Sequence, residues 1–337
     1  MKITEHLKIK NISLIISVVL LFVLTFNIGS LYQLNKIRDD FLSTKQIRAK
    51  NNNYPLVNRL VGTEIPSADH LGFYTDIKDN LKSIIAKNEY SSVSNFSLYF
   101  RDLNTGLWFG INEDDEYVPA SLFKLPIAIT YFRKSIDDDN LLNSYLSYTN
   151  EEAKEITSIQ NLDTTTLNLG QSYTVLNLIN KMLIDSDNGA QRVLANNISQ
   201  EFLNKLYSII EVAGPAQDRY YISPKEYAFF LRMLYNGSYL GLDKSEQLLE
   251  ILSKTTFNSG IKKGIPDDIT VIHKFGSVNF TNNGTGVKTT GVHDCGIIYY
   301  PEKPYVLCIM TKGGDQKTEI KEIEEVSDKL FDYVNKN

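Results

Sequence analysis

The sequence is poor in the residue types that build metal sites and disulfide frameworks. It has only 2 cysteines and 4 histidines, and neither an H-E-x-x-H motif nor a paired C-x-x-C motif occurs. We therefore expect no metal and no cofactor. Two cysteines in a chain of this length make no disulfide framework. We interpret Cys295 and Cys308, both in strand-like segments, as inert core thiols, although the sequence alone leaves their bonding open.

An excess of basic residues is also missing. The formal net charge is -5 at pH 7, and the lysines are scattered instead of forming a stripe, which excludes a nucleic-acid partner. With 42% hydrophobic and 22% charged residues, the composition is that of an ordinary globular protein, which excludes disorder throughout the chain. We expect a monomer that acts on a small molecule.

One long apolar run is present, close to the N-terminus. Residues 12–29 are apolar almost throughout, and a helix that rises about 1.5 Å per residue would nearly cross a bilayer core at this length. Lys2, Lys8 and Lys10 precede the run. Positive charge before an apolar run favours keeping the N-terminal end of the chain in the cytoplasm. Since no A-x-A-like cleavage site follows, we predict an uncleaved, single-pass anchor in the cell membrane, with the rest of the chain outside the cytoplasm.

Three regions follow from this pattern: a cytoplasmic stub and transmembrane anchor at 1–34, a polar linker at 35–70, and one domain at 71–337. Strand-like runs come first in the domain, helical runs fill its middle, and strand-like runs return before a final amphipathic helix. This order predicts an α+β fold, with an antiparallel sheet built from both ends of the domain, flanked by helices, and an inserted all-helical lobe. A functional site would lie where sheet and lobe meet.

A serine and a lysine open an otherwise apolar helical run at 118–132. Ser121 is at the N-terminus of the run, where an unpaired backbone N–H and the helix dipole stabilise negative charge. Lys124 lies one turn further, on the same face. Because its neighbours are apolar, burial favours the neutral amine, which can take the proton of the serine hydroxyl. A capping serine and a lysine that reaches solvent are the alternative.

Two further motifs carry polar groups suited to the same chemistry. Ser186, Asp187 and Asn188 form a turn between two helical patterns. Ser186 could pass a proton to a leaving amine, Asn188 could bind a substrate amide, and Asp187 could stabilise the turn. Lys274 and Gly276 end an apolar strand, where the lysine offers a charge for a substrate carboxylate and the glycine allows close approach. The backbone N–H groups of Ser121 and Ser277 are the predicted oxyanion donors.

Together these motifs resemble the S-x-x-K, S-D-N and K-T-G motifs of the penicillin-recognising serine enzymes, the class A β-lactamases and penicillin-binding proteins. The resemblance extends over roughly residues 75–335. It implies a catalytic set of Ser121, Lys124 and Ser186, and a substrate-binding set of Asn188, Lys274, Gly276 and Ser277. It also implies a bacterial hydrolase that opens the β-lactam amide through an acyl-enzyme on Ser121, as in antibiotic resistance.

The sequence departs from the family pattern in two places. Class A β-lactamases carry a glutamate after S-D-N that activates the deacylating water, but the stretch 207–230 is short and Glu211 lacks that context. We therefore assign no deacylation base and expect slow deacylation. In addition, Phe275 replaces the hydroxyl residue that faces the substrate carboxylate in the family, with Ser277 as a possible substitute.

Three functions remain open at this point. The first is a membrane-anchored serine hydrolase of the β-lactamase type, and the second is a D-Ala-D-Ala carboxypeptidase, for which the leaving group is an amino acid. The third is a non-catalytic domain that binds or senses β-lactams or peptidoglycan, which Phe275 and the short loop favour. The presence of Lys124 favours catalysis, since burying an ammonium group that has no function costs free energy.

Overall fold

The computed structural model describes residues 18–33, 35, 54–58, 72–160, 165–210, 220–281, 286 and 288–336. A helix at 18–33, here α1, exposes its apolar side chains, among them Leu20 at 62% and Phe22 at 72%. None of the helices in the described residues combines the length and the apolar character that crossing a bilayer requires. The predicted anchor begins at residue 12, outside the described residues, and it stays a prediction.

The domain is built around a five-stranded antiparallel sheet with the order β2-β1-β7-β6-β5. Its strands are β1 (Asn95–Asp102), β2 (Trp108–Ile111), β5 (Val271–Thr281), β6 (Lys288–Ile298) and β7 (Tyr305–Lys312). The hairpin β1–β2 comes from the start of the domain, and β5 to β7 come from its end. The join between β1 and β7 confirms the prediction of a sheet built from both ends, and it leaves β5 as an edge strand.

Side chains alternate between the two faces of the sheet, and a different helical layer covers each face. Helices α2 (Thr75–Ile85) and α10 (Gln316–Lys336) pack on one face, against Leu98 and Ile309. The opposite face packs on α8 (Pro224–Tyr235), which Ser223 begins with a capping box, and on the inserted lobe. The confirmed α+β fold therefore has its sheet between two layers of helices.

In its described residues, the inserted lobe contains six α-helices and a small sheet. Its helices are α3 (Lys124–Lys134), α4 (Asn150–Gln160), α5 (Val175–Ile184), α6 (Asn188–Asn196), α7 (Gln200–Ile209) and α9 (Gly241–Leu252). Strands β3 (Tyr145–Ser147) and β4 (Ser172–Thr174) pair with each other. The prediction of an all-helical lobe was therefore wrong in this detail, because the backbone turns extended at Ser144, whose carbonyl accepts from Val175 N–H.

Part of the predicted linker belongs to the packed domain. Residues 54–58 lie along α8 and α9, where Val57 is buried. The Glu246 carboxylate accepts the N–H groups of Leu56 and Val57, and Asn58 N–H donates to Tyr235 O at 2.7 Å. Because these bonds are to the backbone, any sequence with an apolar residue at 57 could form them, which is why composition alone predicted a spacer.

Cys295 and Cys308 form a disulfide between β6 and β7. The two residues are direct partners in the antiparallel register, with Cα atoms 3.9 Å apart. The interpretation as two inert thiols was therefore wrong. Strand pairing brings residues 13 positions apart into contact, and the register that does so could not be read from the sequence.

Because of a buried carboxyl group on α10, the stability of the protein is expected to fall as pH rises. Glu322 is fully buried, and neither of its oxygens has a hydrogen-bond partner within the described residues. Burial, with Glu319 and Glu325 nearby, raises its pKa from 4.5 to about 8. The folded protein thus keeps a proton that the unfolded chain loses above pH 4.5, so stability declines between these two values as pH rises.

Glu322→Gln keeps the shape and removes this titration. We expect the variant to exceed the parent in free energy of unfolding by about 2 kcal/mol at pH 7 and by much less at pH 5. Urea unfolding at both pH values measures the difference. Asp328→Asn, an exposed carboxyl on the same helix, is the control and should change neither value. A difference between Glu322→Gln and parent that is the same at both pH values would contradict the prediction.

Candidate active site

The serine of the S-x-x-K motif lies in a tight turn at the start of α3. A 3₁₀ turn spans Ala120–Phe123, and the α-helix begins only at Lys124. The first bond of the turn runs from Leu122 N–H to Pro119 O, so the N–H of Ser121 precedes it and has no partner in the turn. Ala120 has a φ of 49°, a left-handed conformation that non-glycine residues adopt at a cost. The half-buried Ser121 is thus presented by a strained turn.

Lys124 is fully buried, as its apolar neighbours predict. Its Nζ lies 3.0 Å from Ser186 Oγ and 2.8 Å from Asn188 Oδ1, and it also donates to the Ser186 carbonyl. Burial is the main cause that lowers its pKa well below 10.5, and the charge of Lys274 lowers it further, whereas Asp187 opposes both. The arrangement therefore favours a neutral amine one turn from Ser121.

Asp187 organises the S-D-N turn from behind. Its carboxylate caps α6 by accepting Ala190 N–H at 2.8 Å, and it also accepts Thr165 Oγ1–H at 2.9 Å and Thr166 N–H at 2.6 Å. Ser186 has a φ of 56°, so the turn is strained where its side chain enters the site. These bonds hold Ser186 and Asn188 toward Lys124.

Lys274 approaches the same serine from the sheet. Its Nζ lies 3.0 Å from Ser186 Oγ and donates to Phe275 O at 2.9 Å. The side chain is buried, and this burial lowers its pKa to about 8, with Asp294 acting in the opposite direction. Ser186 Oγ is therefore the link between two lysines, one from the lobe and one from the sheet.

Gly276 lets β5 pass directly against the serine turn. A Cβ at this position would lie 3.0 Å from Ser121 N, 3.1 Å from Pro119 O and 3.2 Å from Leu122 N. These contacts are with backbone, which cannot rotate away. The half-buried Ser277 is the next residue of this edge strand and pairs with Val292 on its inner side.

Gly276→Ala is expected to slow acylation of Ser121 by about 10- to 100-fold, because the methyl group displaces the serine turn or the strand by a few tenths of an ångström. Stopped-flow acylation with a chromogenic β-lactam measures this rate. Gly29→Ala is the control, since no atom lies within 4 Å of the added Cβ and the backbone there is not left-handed, and it should leave the rate unchanged. An unaltered rate in Gly276→Ala would show that acylation does not need the close approach of β5 to the serine turn.

A second polar pair lies on the far face of β5 and β6. His273 Nδ1 lies 2.8 Å from Asp294 Oδ1, and Asp294 Oδ2 accepts Ile261 N–H at 2.8 Å. Phe275, which is opposite Asp294, stacks on Phe257 with ring centroids 3.8 Å apart. Sequence reasoning missed Phe257 and this histidine–aspartate pair, because the register that brings His273 and Asp294 together could not be read from the sequence.

His293 supports the segment that precedes Ser121. Its Nε2 lies 2.9 Å from Val118 O, and its ring packs on Tyr117. Burial lowers the pKa of His293 to about 4, so the ring is neutral at pH 7 and Nε2–H donates to the carbonyl. The sequence carried no signal for this contact, which joins residues 175 positions apart.

The middle of the stretch 207–230, to which no deacylation base was assigned, lies outside the described residues. Residues 211–219, which include Glu211 and Asp218, are among those not described. Tyr220 follows them, and its ring packs edge-on against Phe123 of the S-x-x-K motif with centroids 5.0 Å apart. Its hydroxyl pairs with that of Tyr207. In the described part of the chain, no group of three or more His, Cys, Asp or Glu residues could hold a metal ion.

A known protein family and several solved structures resemble this chain. A family model described as the β-lactamase enzyme family matches residues 76–334. No curated protein sequence matches the chain. Among solved structures, PBP-A is 19% identical with a TM-score of 0.67, and the alignment covers 82% of this chain and 99% of that one.

Two further structures give the same result. An acyl-enzyme complex of a PBP-A variant with penicillin G is 20% identical, with a TM-score of 0.66 and coverage of 82% of this chain and 100% of that one. A class A β-lactamase from Mycobacterium abscessus is 18% identical, with a TM-score of 0.62 and coverage of 77% and 99%. At these identities the likeness to solved structures establishes the fold.

Proposed function

Because the chain belongs to the β-lactamase enzyme family, we propose that it is a serine hydrolase that opens the β-lactam amide through an ester on Ser121. The observation that carries the proposal is the buried Lys124, whose lowered pKa and position one turn from Ser121 suit a general base. A neutral amine at this place removes the hydroxyl proton without a histidine.

Acylation follows from these positions. Lys124 Nζ takes the Ser121 hydroxyl proton, and Ser121 Oγ bonds to the lactam carbonyl carbon. The N–H groups of Ser121 and Ser277 stabilise the oxyanion. The C–N bond then breaks while Ser186 Oγ–H gives its proton to the departing nitrogen. Lys124 and Lys274, each 3.0 Å from Ser186 Oγ, are placed to replace that proton.

The remaining residues bind and orient the substrate. Asn188 is the donor for a substrate amide, Lys274 provides positive charge for a substrate carboxylate, and Gly276 allows the substrate backbone to approach β5. Asp187 has a structural role, since its carboxylate is occupied by the turn.

Mass spectrometry of the full chain with benzylpenicillin over time tests the proposal. We expect a covalent adduct that maps to the peptide containing Ser121 and that persists for longer than its formation takes, since deacylation lacks an assigned base. Free hydrolysed penicillin should accumulate slowly. The absence of any adduct with β-lactams or active-site serine probes would instead indicate a non-catalytic binding domain.

A D-Ala-D-Ala carboxypeptidase is the second candidate. It is favoured by the edge strand β5, which has one side free of strand partners in the five-stranded sheet and can pair with an extended peptide. Release of D-alanine from an acyl-D-Ala-D-Ala peptide, with negligible β-lactam turnover, would select this function. Turnover of benzylpenicillin without peptide cleavage would select the β-lactamase.

We also propose that the domain is exported and held at the membrane by the N-terminal run. The exposed apolar side chains of α1 and the three upstream lysines support an anchor. The disulfide supports an oxidising compartment. In bacterial cells, the full chain should fractionate with membranes and be cleaved by external protease, whereas a chain lacking residues 1–34 should not be exported. Full-length protein in the cytosolic fraction would contradict this.

A further inference from the structure

One row of residues across the sheet lies against the chain that leads into Ser121. Residues 117–120 are called here the incoming segment. The row consists of direct partners in the strand register, namely Gly276 on β5, His293 on β6, Met310 on β7 and Ser97 on β1. Directly opposite residues point to the same face of a sheet. Since a Cβ on Gly276 would point at the serine turn, the whole row faces the incoming segment.

The row contacts the incoming segment at consecutive residues. Ser97 Oγ lies 2.8 Å from the hydroxyl of Tyr117. His293 Nε2 lies 2.9 Å from the carbonyl of the next residue, Val118, and its ring packs edge-on against Tyr117. Gly276 has no side chain and leaves room for the backbone that follows. The sheet therefore sets the path along which the chain enters the serine turn.

The bond from His293 holds the backbone just before a strained residue. Val118 O, which accepts it, is two residues before Ala120 with its φ of 49°. On the other side, the carbonyl of Leu122 accepts the buried hydroxyl of Tyr227 at 3.2 Å. A left-handed residue other than glycine persists only where its surroundings fix it. Side-chain donors on both sides supply this constraint for the turn.

His293 makes no other hydrogen bond that would explain its place in the core. The side chain is fully buried and the ring is neutral. Nδ1 is buried as well and has no hydrogen-bond partner within the described residues. Burying an unpaired nitrogen costs free energy that an apolar side chain of similar size would avoid. The bond to Val118 O is therefore the contribution that distinguishes this residue from an apolar one.

We propose that His293 is a positioning residue for acylation. By donating to Val118 O it fixes the left-handed conformation of Ala120, and it thereby aims the N–H of Ser121 at the oxygen of the tetrahedral intermediate. The inference rests on the proposed acylation of Ser121 and adds the residue that orients one of its two oxyanion donors. An N–H group stabilises an oxyanion only when it is already aimed at the place where the charge develops.

Two amide variants test this role. The side-chain nitrogen of His293→Gln is as far along the chain as Nε2 and can donate to Val118 O, whereas that of His293→Asn is one carbon short of it. We expect acylation by His293→Gln within about threefold of the parent and acylation by His293→Asn about 10- to 100-fold slower. Stopped-flow kinetics with a chromogenic β-lactam measures both rates, and the dissociation constant of the non-covalent complex should change little.

A parental rate in His293→Asn would overturn the proposal. A rate in His293→Gln as low as in His293→Asn would overturn it too, because the hydrogen bond would then not be what matters.

The infrared spectrum of the acyl-enzyme separates positioning from a general loss of stability. Benzylpenicillin that is isotopically labelled at the lactam carbonyl gives one assignable ester band on Ser121. Hydrogen bonds from the oxyanion donors lower the frequency of this band. We expect the parental frequency in His293→Gln and a higher frequency in His293→Asn. The same frequency in His293→Asn and the parent would show that the donors are still in place, and would reject the positioning role.

A measurement on the parent keeps the inference testable if His293→Asn does not fold. Nuclear magnetic resonance of the full chain in detergent, with nitrogen-labelled histidine, reports which ring nitrogen carries the proton, and the spectrum of His293→Gln identifies the signals of His293 by their absence. We expect a neutral ring with a slowly exchanging proton on Nε2. A proton on Nδ1 alone would overturn the proposal, since Val118 O would then have no donor.

The outcomes also separate this inference from the proposed function. If neither the parent nor His293→Gln forms an adduct on Ser121, the serine-hydrolase proposal fails. If the parent, His293→Gln and His293→Asn all acylate at the same rate, the enzyme function stands and the role of His293 is rejected.

Discussion

Lys124→Arg is expected to slow acylation of Ser121 by about 10²- to 10⁴-fold, the range of a general base. Arginine keeps the positive charge and much of the length, but it does not lose its proton in proteins. The variant therefore distinguishes a base from a cation that only stabilises charge. Stopped-flow measurement with a chromogenic β-lactam gives the rate, and Ser121→Ala sets the background.

Lys134→Arg, at the other end of the same helix, is the matched control and should acylate at the parental rate. The parent should also reach its full acylation rate at a pH far below 10.5, because burial holds the pKa of Lys124 well below that value. The rate should rise with pH as the amine loses its proton. Acylation by Lys124→Arg within threefold of the parent would exclude Lys124 as the base.

Asp187→Ala is expected to lower the free energy of unfolding by about 3 kcal/mol, because a helix cap is lost and buried donors lose their acceptor. The carboxylate accepts from Ala190 and from both Thr165 and Thr166, so without it the segment before β4 loses its hydrogen bonds to the start of α6. The acylation rate should fall as well, since Ser186 and Asn188 are the neighbours of Asp187 in this turn. Urea unfolding and the acylation rate measure the two effects.

Asp185→Ala provides the comparison, because Asp185 is an exposed aspartate two residues earlier in the same turn. It should change the free energy of unfolding by less than about 0.5 kcal/mol, as surface substitutions usually do. A loss in Asp187→Ala no larger than in Asp185→Ala would mean that the capping bonds do not stabilise the turn.

The positions of Ser121, Lys124 and the S-D-N residues within their own helix and turn could be predicted because they depend on local spacing. A three-residue step on a helix places Lys124 one turn from Ser121, and a run of apolar neighbours buries it. Ser, Asp and Asn between two helical patterns mark a turn in any fold. The order of strands, helices and strands likewise indicated a sheet made from both ends of the domain.

Contacts between distant segments could not be predicted in this way. The Cys295–Cys308 disulfide and the Phe257–Phe275 stack depend on strand register and on where α9 ends, and a shift of one residue would place each side chain on the other face. The docking of residues 54–58 uses backbone N–H groups, which every sequence has.

The sequence by itself thus determined which side chains are available for the proposed chemistry: a buried lysine one turn after a serine, and a second serine and a second lysine in later motifs. The tertiary structure alone decided that Ser186 Oγ lies 3.0 Å from both lysines. The physical reason is that side-chain type and helical spacing act within one turn, whereas these distances depend on how the sheet and the lobe pack together.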